Sequence, residues 1–154
     1  DRRTVIIHSQ IMRPDQLDAY VRYGFYPTFF TAHTYFWGDV HLANLGPRRG
    51  GFISPLRSAN AKGVRFSNHT DADVTPIDHM LLLWTSVNRT SRSGQVIGAA
   101  ERVTPYQGLA ALTRDAAYEY FEEKEKGTLE AGKRADLVVL DRNPLKVAPA
   151  EIRE

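Results

Sequence analysis

The stretch RFSNHTDADVTPIDH, residues 65–79, changes character twice. A β-like run ends near Asn68 and breaks into His69, Thr70, Asp71 and Asp73. Thr75-Pro76 then has the look of a helix start, with a capping hydroxyl, proline at the first position and Asp78 in the first turn. The spacing predicts a strand over 64–68, a polar break, and a helix through the apolar run Leu81, Leu82, Leu83, Trp84 and Val87.

The same order recurs upstream. TVIIH, residues 4–8, reads as a short apolar strand of the kind buried on both faces in a parallel sheet. RPDQLDAYVRYG then predicts a helix, with Pro14 in its first turn, Leu17, Tyr20 and Val21 on one face, and Gly24 as its stop. FYPTFFTAH, residues 25–33, predicts a second strand, provided Pro27 lies close to its beginning. The Gly-rich and aromatic stretch 34–52 reads as a long loop with one helical turn. SPLRSANAKG reads as a short helix, with Ser54 as N-cap and Gly63 closing it.

Beyond a polar connection over 91–103, Thr104, Pro105 and Gln107 form a capping-box pattern. RDAAYEYFEEKEKG predicts an amphipathic helix ending at Gly127. ADLVVLD, residues 135–141, predicts a last strand that Asn143-Pro144 ends. Strands alternating with helices imply parallel α/β architecture.

Composition narrows the functional classes. The chain has 154 residues, 42% hydrophobic and 25% charged, the make-up of an ordinary globular domain. Its 20 basic and 18 acidic residues leave a net charge of +2. Arg48, Arg49, Arg57 and Arg65 read as solvated surface, so a nucleic-acid partner is not expected. With no cysteine, thiolate catalysis and cysteine-based zinc sites are excluded. No apolar run reaches the ~18 residues of a membrane span. The chain enters a strand almost at once and has no initiator methionine, so we expect a piece of a longer protein.

His8, His33 and Asp71 each stand at or just past the end of an apolar strand. One βα unit of a ~250-residue eight-fold barrel averages ~31 residues, and strand C-termini converge on one face of such a barrel. Imidazole and carboxylate suit zinc or a similar divalent ion. Each residue also has a plainer reading: a hydrogen-bonded structural histidine, or an Asx turn capping the next helix for Asp71 and Asp73. His69 shares the strand parity of Asp71, whereas His41 and His79 have no such context. Tyr35, Phe36 and Trp37, with Phe29 and Phe30, suggest either an apolar substrate wall or core packing.

Four stretches carry a family resemblance: VIIHSQ, FFTAH, SNHTDADVTPID and KGTLEAGKRADLVVLDRNPL. The chain resembles the C-terminal half of metal-dependent amidohydrolases of family 3, the group with YtcJ-like proteins and N-substituted formamide deformylases. The resemblance implies the C-terminal portion of a (β/α)₈ barrel over 1–126. Over 127–154 it implies a returning segment of a small β-sandwich domain. It implies His8 and Asp71 as metal ligands, Asp71 as general base, and His33 as a group acting on the substrate carbonyl, with direct metal ligation by His33 as the alternative. Tyr35 and Trp37, which flank His33 in the sequence, are the aromatics expected near the substrate. The cofactor implied is one or two divalent ions, zinc being expected, and the substrate a small amide or formamide. A deaminase of cyclic substrates and a barrel without its metal remain alternatives.

The family's ligands from earlier strands have no counterpart in these residues. The rest of the site is therefore expected upstream, and this chain alone is expected neither to hold metal tightly nor to turn over substrate. Oligomeric state is left open, as is the choice between cytoplasm and periplasm.

Overall fold

The computed structural model describes residues 2–154. Its three strands, β1 (Val5–His8), β2 (Tyr26–Phe29) and β3 (Ser67–Asn68), form a parallel sheet in the order β1-β2-β3. Ile7, Thr28 and Ser67 lie in one register row, and His8, Phe29 and Asn68 in the next. All three carboxyl ends therefore face the same edge. Pro27 costs no ladder bond: Tyr26 N–H goes to Thr4 O, and pairing with β3 starts only at Thr28.

Six helices connect and cover the strands: α1 (Pro14–Tyr23), α2 (Ala32–Gly50), α3 (Leu56–Ala61), α4 (His79–Asn88), α5 (Pro105–Leu112) and α6 (Arg114–Glu119). α1 ends as expected, at a left-handed Gly24 whose N–H bonds Tyr20 O. The capping box of Thr104 and Gln107 is formed at the start of α5. Leu17, Phe29, Leu56, Val64 and Phe66 make one core between the sheet, α1 and α3. Leu83, Val87 and Ile152 make another, where a 3₁₀ turn (Pro149–Arg153) returns onto α4.

Several expectations need correcting. Residues 34–52 are mostly helix, not loop: α2 begins at Ala32, bends at a left-handed Gly46 and continues through Pro47. Gly38 reads as a loop residue in the sequence but is a contact point, where a Cβ would come within 2.7 Å of Ile97 Cγ1. β1 is not buried on both faces, since it lies at the sheet edge with Ile7 64% exposed. β3 is only two residues long, because Val64 and Phe66 enter the core without joining the ladder.

Helix starts and ends also differ. Ser54 does not cap α3; it has a left-handed φ of 43°, and Pro55 is the N-cap. Thr75 gives its hydroxyl to Thr70 O, so the cap of α4 passes to Asp78, whose Oδ1 accepts from Leu81 N at 2.8 Å. α6 stops at Glu119, and the left-handed Phe121 lets Glu122 N–H turn back to Ala117 O. Residues 135–141 form no strand: among the described residues no neighbouring strand offers them a ladder. No described helix is long and apolar enough to cross a membrane.

Candidate metal centre

The polar groups gather where the strands end. His8 closes β1, and regular alternation would place its side chain with that of its register partner Phe29, which is in the core. A left-handed φ of 65° at His8, followed by 43° at Ser9, breaks that alternation. The imidazole instead lies against His69, with ring centroids 5.0 Å apart, and against Phe30, at 5.7 Å. Asp71 also has a left-handed φ, 51°, in the turn after β3. Strained non-glycine backbone costs on the order of 1–3 kcal/mol per residue and gathers at functional sites.

His8 Nε2 and Asp71 Oδ2 are 3.8 Å apart, both side chains about a third exposed. His8 Nδ1 is 3.0 Å from His69 Nε2. One ligand atom from each of His8, His69 and Asp71 lies within 4.8 Å of the others. Two imidazoles and a carboxylate at that separation fit a divalent cation in both chemistry and spacing. This is the one such grouping among the described residues.

His33 is not at a strand end; it lies in the first turn of α2. Its ring is 5.5 Å from that of His8 and 4.1 Å from that of Phe30. Residues four apart share a helix face, and Trp37 and His41 follow His33 at centroid distances of 5.4 and 6.2 Å. Gln10, just past β1, reaches His41 Nε2 at 2.7 Å. Burial holds the His33 imidazole down to about 4, and His8, His41 and His69 push the same way, while Asp71 opposes them. Burial also lowers His69, with His8 adding to it, and lowers His41. His33 is therefore neutral at pH 7, and its buried Nδ1 has no hydrogen-bond partner.

Tyr35 is carried away from this group. Its ring packs edge-on against Trp84 at 6.1 Å, and the Arg153 guanidinium stands 5.5 Å over it. Asp73 is exposed and belongs to no cluster. Sequence reasoning gave His41 no context, because its context is the helical stripe it shares with His33 and Trp37. Thr28 also went unremarked; it is buried, and its Oγ1 lies 3.1 Å from His69 Nδ1.

An α/β sheet with imidazoles and a carboxylate along its carboxyl edge has the arrangement of α/β enzymes, which gather their functional groups at the strand ends. The chain belongs to the amidohydrolase family, whose profile matches residues 1–154. It is 34% identical over 119 residues to the N-substituted formamide deformylase of Arthrobacter pascens, covering 77% of this chain and 22% of that protein. It is 24% identical over 157 residues to the putative amidohydrolase YtcJ of Bacillus subtilis, covering 98% of this chain and 29% of that one. The chain thus spans less than a third of either relative. In fold it is similar to an uncharacterized metal-dependent hydrolase from Pyrococcus horikoshii, with a TM-score of 0.79 and 21% identity over 96% of this chain and 30% of that one.

Proposed function

We propose that this chain forms the C-terminal portion of a (β/α)₈ barrel whose whole protein hydrolyses carbon–nitrogen bonds, other than peptide bonds, in small molecules. Amides and N-substituted formamides are the substrate class. The observation that carries the reading is the meeting of His8, His69 and Asp71 within 4.8 Å at the carboxyl edge of a parallel sheet. The relative named as an N-substituted formamide deformylase, 34% identical, supports the bond class.

His8 and Asp71 would hold a divalent cation such as zinc between them, with further ligands from outside this chain. When bound, such an ion supplies Lewis acidity and lets water give up a proton near neutral pH. Asp71 accepts the proton of the attacking water and passes it to the leaving nitrogen. His33, kept neutral by burial, offers an N–H to the carbonyl oxygen as negative charge grows there. Trp37 and Phe30 pack against the His33 ring and form an apolar wall beside that position.

The test uses the whole protein loaded with zinc and supplied in parallel with N-substituted formamides, amides and cyclic amidines. Formate or carboxylate release is expected, and Asp71→Asn should lower kcat by roughly 10²–10⁴-fold, the usual worth of a positioned acid–base group. Ammonia release from the cyclic substrates alone would select deamination. Unchanged turnover in Asp71→Asn would refute the role given to Asp71.

A further inference from the structure

Four polar side chains stand in a line across the strand ends. Thr28 Oγ1 is 3.1 Å from His69 Nδ1, and His69 Nε2 is 3.0 Å from His8 Nδ1. His8 Nε2 then faces Asp71 Oδ2 across 3.8 Å. The two imidazole rings lie 5.0 Å apart between centroids, with their planes inclined by 29°. The line crosses all three strands: Thr28 lies on β2, His69 follows β3, and His8 ends β1.

A neutral imidazole has one N–H and one lone pair, so in a line of two rings one proton position dictates the other. In one arrangement His8 Nδ1–H donates to His69 Nε2, and His69 Nδ1–H donates to Thr28 Oγ1. His8 Nε2 then keeps a bare lone pair toward Asp71. In the reverse arrangement His69 Nε2–H donates to His8 Nδ1, and His8 carries its proton on Nε2. That N–H would face Asp71 Oδ2 across 3.8 Å, beyond hydrogen-bond reach, and would turn to solvent, since the His8 side chain is 38% exposed. The first arrangement gives both ring N–H groups a protein acceptor, and the second leaves one to solvent.

We infer that Thr28 and His69 are positioning residues: through the line Thr28–His69–His8 they fix the tautomer of His8, so that its Nε2 lone pair points toward Asp71. On this reading His69 acts behind His8 as the group that orients it and not as a third ligand, because its Nε2 is engaged by His8 Nδ1 at 3.0 Å. This rests on the proposed ligand roles of His8 and Asp71. Outer partners of this kind typically change metal affinity by roughly 10–100-fold when removed.

The experiment is ¹⁵N–¹H correlation of the histidine rings in the whole protein at neutral pH, before and after excess ¹¹³Cd²⁺. Expected are Nδ1–H tautomers for both His8 and His69, with cadmium coupling at His8 Nε2 and none at His69. Thr28→Val, which keeps the shape of the side chain, should leave His8 as a mixture of tautomers and weaken cadmium binding by roughly tenfold. His69→Gln keeps an acceptor for His8 Nδ1–H and should retain most of the affinity, while His69→Leu should lose it.

An Nε2–H tautomer at His8, or cadmium coupling to His69, would overturn the proposal. So would Thr28→Val leaving tautomer and affinity unchanged while cadmium still couples to His8 Nε2, a result that spares the hydrolase reading. The expected tautomers without any cadmium coupling at His8 would instead refute the ligand roles and with them the hydrolase reading.

Discussion

The carboxyl edge of the sheet and the segment 127–148 contrast sharply, although both mix apolar and polar residues. At the strand ends Phe29 and Phe30 are fully buried, and Asn68 joins Thr31 and Ser86 in a closed network. In 127–148, Leu137 and Val138 are exposed and Val139 is 94% exposed, with no strand beside them. The same β-branched and leucine residues give order only where a partner element takes up their backbone bonds and their apolar surface. Local sequence proposes a strand, and its neighbours decide whether one forms.

That contrast can be tested by substitution. The largest effect belongs to Asp71→Asn in the whole protein, a loss of turnover with the fold kept. Next comes Asn68→Ala. Asn68 Oδ1 accepts from Thr31 N–H, and its Nδ2 donates to Thr31 Oγ1 and Ser86 Oγ. Deleting the side chain strands a buried donor, so a urea midpoint shift equivalent to roughly 3 kcal/mol is expected. Gly38→Ala should cost about 2 kcal/mol by the same measurement, since the new methyl meets Ile97 Cγ1 at 2.7 Å.

Acid should act on the strand ends more weakly. His33 has its folded value lowered from 6.5 to about 4. Between these values the unfolded chain binds a proton that the folded chain does not, so this contribution is present above about 6.5 and is lost as pH falls toward 4. Denaturation midpoints measured across that window should decline, and His33→Phe should flatten the decline. The smallest effect is expected for Val139→Ser, within about 0.5 kcal/mol of the parent, because the side chain already faces solvent. A shift of several kcal/mol there would dissolve the contrast.

Legibility in the sequence follows the same division. The strand–helix order, the cap at Thr104 and the stop at Gly24 rest on local chemistry and could be read directly. The meeting of His8 with Asp71 was legible as position along the chain, since parallel strands bring their ends to one edge. Helix α2 was not, because Gly38, Gly46 and Pro47 resemble punctuation until the packing of Gly38 on Ile97 is known. Missing that helix hid the His33–Trp37–His41 stripe. The left-handed turn at His8, which swings its ring toward His69, has no signature in the letters VIIHSQ.

That turn has a consequence for durability. His8 and Asp71 both hold a backbone shape that glycine adopts without strain, and each forgoes stability on the order of 1 kcal/mol to do so. A version of this protein selected only for heat resistance would drift toward glycine at both positions, and as it grew sturdier it would lose the imidazole and the carboxylate that meet there.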